Sequence, residues 1–339
     1  MLTMQSPRNN KLKAIRTLIF CLSMLSPGAI WARGASAPSE PEARNKAAIV
    51  YDAERERVVM FGGATGLGPS RAVTGDTWEW DGRAWSKVSD AGPQPRAAHA
   101  MAYDSHRKKI VMFGGEGPGG VLGDTWEWNG RNWTQVARSG PPARAGHRLE
   151  YDRLRKRAVL FGGTSRFGRD ANPAFNDTWE WDGRAWSRVS NAGPRGRILF
   201  GMSYDSRRGR VILFGGNTAH RPPYEAGLMN DTWEWDGRNW TEIDAPGPPG
   251  RDHNVMIYDA TRGKTVLYGG GANGRLLGDT WYFDGRAWEP VDANSPTRLG
   301  ADAIAYDNKR KKIVTYGGWE KGPLADIWEF DGKQWVRVK

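Results

Sequence analysis

One cysteine, Cys21, stands in 339 residues, so no disulfide can form within the chain. Histidine is scarce too, at five, and no cysteine–histidine spacing of the zinc-binding kind occurs. No glycine-rich loop leads from a strand into a helix, which removes a phosphate-binding reading, and no Ser/His/Asp order sits in a supporting motif. Sustained helical periodicity is missing throughout. Acidic residues are missing from residues 1–37, which carry Arg8, Lys11, Lys13, Arg16 and Arg33. There a basic stretch precedes an apolar run at 18–25, then Pro27, Gly28 and the small residues Ala35, Ser36 and Ala37. This is the pattern of a cleaved export signal peptide, with cleavage expected after Ala37 or Gly34, although Pro38 disfavours the first. The apolar run is short for a bilayer span, and a retained N-terminal anchor is the alternative. Phe20 before Cys21 argues against a lipid-modified cysteine. A secreted or periplasmic location follows, and a large exported domain without disulfides needs no staples. No metal site and no cofactor are expected.

What the chain has in excess is glycine, 44, and tryptophan, 18. Tight turns and large flat side chains suit short strands. The tryptophans fall in a decapeptide, Asp76-Thr77-Trp78-Glu79-Trp80-Asp81-Gly82-Arg83-Ala84-Trp85. It returns nearly letter for letter from Asp124, Asp177 and Asp231, and more loosely from Asp279 and Asp326. Gly-Gly pairs at 62, 114, 162, 215, 269 and 317 set a period near fifty, which with strand patterning points to propeller blades. One repeat resolves into four expected strands: 99–103, the apolar run 109–113, the alternating 125–128 and 133–136. Asn129-Gly130 reads as a two-residue hairpin turn. Formal charge is +11, of which +5 lies in residues 1–37, leaving a moderately basic +6 that does not indicate a nucleic-acid partner.

Gly-Gly after an apolar strand, an aromatic third strand and a Trp some ten residues past its Asp resemble the kelch repeat, over residues 44–339 and all six units. The resemblance implies an all-β, six-bladed kelch-type β-propeller with four antiparallel strands per blade. Residues 1–37 would be the signal, 38–46 a lead-in and 47–339 the propeller. First strands would line a central channel and fourth strands the rim. Both ends carry whole blades, so the ring is expected to close by packing of blade 6 on blade 1, with no shared sheet. Copper radical oxidases with a kelch domain need a cysteine–tyrosine cross-link, which a mature chain without cysteine excludes.

Loops after Gly-Gly and linkers between blades share one face, here the upper face. Arg44, Arg96, Arg144, Arg197 and Arg251 each precede the first-strand Tyr by seven residues, and Arg298 precedes Tyr306 by eight. In kelch adaptor domains arginines in this kind of position contact acidic peptides, and guanidinium suits carboxylate. The alternative is structural: each Arg pairs with an Asp opening a third strand. Two long loops, 164–176 and 217–230, mix aromatic and charged residues, namely Arg166, Phe167, Phe175, His220, Arg221 and Tyr224, which suits a glycan or an extended peptide. His99 and His147 share a register that favours a structural role over a metal. On the lower face the first turns hold eighteen basic against eight acidic residues, a segregation that could draw that face to an anionic surface or polysaccharide. The leading expectation is therefore a non-catalytic, monomeric binding propeller with a glycan or peptide near blades 3 and 4. An exported carbohydrate-active enzyme such as a sugar mutarotase, and attachment through the basic face, are the other two readings.

Overall fold

The computed structural model describes residues 39–166, 173–218, 227–293, 295–296 and 303–339. Six four-stranded antiparallel sheets follow one another along the chain, and in each the strands lie in sequence order. Blade 1 is Ala48–Asp52, Arg57–Phe61, Thr77–Trp80 and Trp85–Ser89; blade 6 is Ala303–Asp307, Lys312–Tyr316, Ile327–Phe330 and Trp335–Arg337. First strands of successive blades contact one another in a ring, blade 6 returning to blade 1, and together they line the channel. Second strands are the apolar runs, and Val59, Met60 and Phe61 have no accessible surface. A strand flanked by sheet neighbours and packed on both faces has no polar side to present, which explains the continuous run. The Gly-Gly pair ends it because backbones converge there: Gly62 has φ +64°, and a Cβ on it would lie 2.4 Å from the Arg96 carbonyl oxygen.

The decapeptide builds the third and fourth strands and also joins blades. Its last Trp packs on the aromatic residue ending the second strand of the preceding blade: Phe61–Trp133, Phe113–Trp186 and Phe161–Trp240 centroids are 5.2–5.3 Å apart. The same indole N–H donates to the Thr opening that blade's third strand, Trp133 to Thr77 at 2.9 Å and Trp186 to Thr125 at 2.8 Å. Trp240 to Thr178, Trp288 to Thr232 and Trp335 to Thr280 repeat the bond. The turn expected to span two residues at Asn129-Gly130 is instead a four-residue loop. Trp128 and Trp133 face each other in register, and Asn129 Oδ1 accepts from the amides of Arg131 and Asn132 at 2.9 and 2.8 Å. The side chain thus supplies the turn's hydrogen bonds. Gly130 is required for another reason: a Cβ there would overlap the Arg55 guanidinium reaching across from blade 1.

The ring closes by packing. Ile49, Met60, Trp78 and Trp85 of blade 1 form one buried cluster with Ala303, Ala305, Val314, Tyr316 and Ile327 of blade 6, and among the described residues neither end adds a strand to the other's sheet. Trp85 packs edge-on against Tyr316 at 5.3 Å, as Trp133 packs on Phe61 and Trp186 on Phe113. Ile327, however, stands where other blades have Thr, so the buried Trp85 Nε1 has no acceptor among the described residues.

Candidate functional site

The upper-face arginines are buried ties. Arg44, Arg96, Arg144, Arg197 and Arg251 are 0–2% exposed. Each forms a two-pronged pair with an Asp opening a third strand; Arg144 Nη1 and Nη2 lie 2.7 and 2.9 Å from the two oxygens of Asp177. Arg144 Nη1 also donates to the Gly162 carbonyl at 3.0 Å and Nε to the Pro142 carbonyl at 3.0 Å, a set repeated at the other four. The indole of the Trp two residues on, Trp179, donates to Asp177 Oδ2 at 2.7 Å. Burial alone would raise the Asp177 carboxyl, but the Arg144 hydrogen bonds and charge outweigh it and hold it below the usual carboxylate range, as happens at Asp76, Asp124, Asp231 and Asp279. Of the two roles weighed from the sequence, these five positions take the structural one, since their donors are engaged inside the blades. Arg298 lies outside the described residues, and Asp326 pairs with Arg337 of the last strand.

The aromatic loops divide similarly. Phe167, His220, Arg221 and Tyr224 lie outside the described residues. Phe175 is half-buried and covers the Arg144 guanidinium, 4.1 Å from ring centroid to Cζ, a cation–π roof on the tie below. The Arg166 amide donates to Thr164 Oγ1 at 3.3 Å. His99 and His147 are buried edge-on against Phe61 and Phe113 at 5.6 and 5.5 Å, and Phe200 fills the same place against Phe161. Burial, with the Arg96 charge adding to it, pushes His99 down to about 3; burial and Arg144 push His147 well down too. These histidines are neutral packing residues.

The lower-face turns are less open than the charge tally implied. Arg107 binds Asp104 at 2.6 Å and Glu127 at 2.5 Å, and Lys109 also reaches Glu127. Arg155 with Asp152 and Glu180, Arg208 with Asp205 and Glu234, and Arg310 with Asp307 and Glu329 repeat the arrangement. The tally omitted the third-strand glutamates, which lie within reach of the turns and neutralise much of the excess.

The open chemistry is at the channel mouth. A cavity of about 590 Å³ opens on the upper face over blades 1, 4, 5 and 6. Much of the two loops expected to carry the site lies outside the described residues; among the described ones, blade 4 contributes Leu199, Asn217 and Leu228, and no blade 3 residue lines the cavity. Its wall is the extended blade 5 hairpin, Lys264–Ala272 with Arg275–Phe283, which continues past the Gly-Gly pair through a register shift between Tyr268 and Gly270. Arg71 and Arg275 are exposed at its edge; Arg71 lies 3.4 Å from Glu116, and no ion pair forms on Arg275 among the described residues. Leu67, Leu276 and Trp319 supply apolar surface. Within the cavity, His253 Nδ1 lies 3.0 Å from Asp252 Oδ1, and buried Asn217 donates to Asp252 Oδ2 at 3.2 Å.

A backbone feature underlies the mouth. Lys46, Ala98, Gly146, Leu199 and His253 each precede the first-strand Tyr by five residues, and all have left-handed φ, +53°, +54°, +70°, +58° and +52°. The first four are hydrogen bonded in series: the Lys46 carbonyl accepts from Ala98, Ala98 from Gly146 and Gly146 from Leu199, at 2.8, 2.9 and 3.3 Å. Lys46, Leu199 and His253 line the cavity. Sequence reasoning missed the set; the signal was a register position whose residue differs among these five blades. Below the mouth, channel-lining Glu150 is half-buried; burial pushes its carboxyl up to about 8, against the Tyr204 backbone and the charges of Arg148 and Arg153.

A family model described as the KLHDC2/KLHL20/DRC7 kelch-repeats domain matches residues 10–194 and again residues 150–339. No curated protein sequence gives a significant match. With six Gly-Gly blades, the Trp decapeptide and this match, the chain belongs to the kelch-repeat β-propeller family, whose members generally serve as protein-interaction scaffolds.

Proposed function

We propose that this protein is a binding propeller that takes an extended protein segment in the upper-face cavity. An acidic side chain of the segment sits against Arg275 and Arg71, and an apolar one against Leu276, Leu199 and Trp319. The observation that carries this reading is the cavity itself: about 590 Å³, in the range of ligand sites, with cations along one edge and apolar surface along another. The Arg275 guanidinium is exposed and suits a carboxylate. Segments that dock this way are held by a few anchors, so the loss of one should be felt strongly.

The test is selection of random peptides displayed on phage against the protein, followed by affinity measurement on the enriched peptides. Enriched sequences pair Asp or Glu with an apolar residue, and Arg275→Glu weakens their binding by about tenfold or more. Failure to enrich any peptide sinks the reading, as does binding that ignores Arg275→Glu. A glycan array on the same protein is the counter-test, and hits there alone would move the reading to sugars. Export of the mature chain from a signal at residues 1–37 belongs to the same proposal. Mass spectrometry of the N-terminus from fractionated cells checks it, with a start at Pro38 or Ala35 expected and an intact leader in the cytoplasm contradicting it.

A further inference from the structure

We infer that the left-handed positions of the mouth are the specificity-determining set of the cavity, with Leu199 and His253 as its chief members and Lys46 beside them; this rests on the binding reading above. The argument begins with a mismatch between backbone and side chain. A left-handed φ suits glycine, and every other residue is strained there by its Cβ. Gly146 shows that the repeat accommodates glycine at this register with its inter-blade hydrogen bonds intact. Lys46, Leu199 and His253 carry strained side chains at the same register without any need of the blade for a Cβ, and those three are the ones that line the cavity. Ala98 and Gly146, with little or no side chain, belong to blades 2 and 3 and do not line it.

Left-handed non-glycine residues alone would not distinguish a binding set. Glu56, Lys108, Lys156 and Lys311 have φ of +56° to +57° in the lower turns, where Gly209 and Gly263 hold the same register. Those four are exposed charges spread over the lower face, one each in blades 1, 2, 3 and 6. The mouth set differs in converging on one cavity with three chemistries: a cation, an aliphatic side chain and an imidazole. The imidazole is oriented. Asp252 engages Nδ1, itself held through Asn217, so in the neutral ring Nδ1 carries the proton and Nε2 is the acceptor left for a ligand. The segment selected is therefore one that offers an N–H or O–H donor to His253 beside an apolar side chain for Leu199.

Glycine replacement separates this role from a structural one. Leu199→Gly and His253→Gly relieve the strained backbone while deleting the side chain, and Ala98→Gly makes the same backbone change outside the cavity. Binding of the enriched peptides is expected to weaken by about tenfold in each of the first two and to stay unchanged in the third. The Tm of all three is expected to be unchanged or raised by about 2 °C. A lower Tm in Leu199→Gly and His253→Gly would show that those side chains hold the fold and would overturn the inference. So would unchanged peptide binding in both, or an equal loss in Ala98→Gly, which would point to loop shape. If no peptide is enriched on the wild-type protein, the binding reading fails and this inference with it; if peptides bind and both variants bind equally well, this inference fails alone.

Discussion

The blade interfaces and the channel mouth use the same six-fold register in opposite ways. At the interfaces the repeat position keeps its chemistry in five of the six blades: the Arg meets its Asp and the Trp its Thr, with the seam between blades 6 and 1 as the exception for the Trp. At the mouth the backbone repeats at the five described copies, with the same left-handed φ and with hydrogen bonds joining four of them in series, while the side chain differs at each of the five. The lesson is that, in this propeller, repetition marks what holds the ring together. The places where only the backbone repeats are where recognition can differ between members of one fold.

The comparison breaks first if the ties are dispensable. Arg144→Met leaves the Asp177 carboxylate largely buried without its partner and removes the cation under Phe175. A loss of about 3–5 kcal/mol is expected by chemical denaturation. A loss below about 1 kcal/mol would mean that the arginine is not a structural tie.

A second test uses the equivalence of His147 and Phe200. Both rings pack edge-on against the second-strand Phe, so His147→Phe should fold normally. In the wild type the buried imidazole stays neutral while the unfolded chain takes up a proton. Its contribution is therefore present above the unfolded value near 6.5 and is lost as pH falls, by up to about 1.4 kcal/mol per pH unit. Tm against pH should fall less steeply on the acid side in His147→Phe, and parallel curves would contradict the assignment.

Glu150 gives the opposite sign and a smaller effect, because channel water reaches it. Its carboxyl is raised to about 8, so stability is full below the unfolded carboxyl value and declines as pH rises toward 8. Glu150→Gln should gain on the wild type steadily from pH 5 to 8. A constant difference across that range would show that the carboxyl is solvated normally.

The smallest expected effects compare an ordinary interface with the closing seam. Thr178→Val removes the acceptor of the Trp240 indole and should cost about 1 kcal/mol. Ile327→Thr supplies at the seam the acceptor that Trp85 lacks, and the new bond offsets the lost burial, leaving stability within about 1 kcal/mol of wild type. If Ile327→Thr proves as damaging as an ordinary core truncation, the indole is not waiting for an acceptor.

Much of the scaffold was legible beforehand. Six Gly-Gly pairs and five Asp-Thr-Trp openings announced blades, and matching Arg and Asp positions announced a pair, in which the five described arginines are buried against their Asp. The mouth was harder to read. A left-handed position is announced by glycine, and only Gly146 among the five is one; Lys46, Leu199 and His253 look like ordinary linker residues. The cavity joins residues from four blades whose side chains do not repeat, so neither period nor loop length locates it. Composition misled on the lower face, because Arg107 and Lys109 find Glu127, a residue that the sequence places in a different strand.

Hydrogen–deuterium exchange of the protein with and without an enriched acidic–apolar peptide tests the central claim most directly. The account predicts protection at 45–46, 199, 252–253 and 271–276, the backbone beneath the cavity, with the lower turns unchanged. Protection confined to the lower turns at 153–157 and 207–210, with the mouth unaffected, would contradict it.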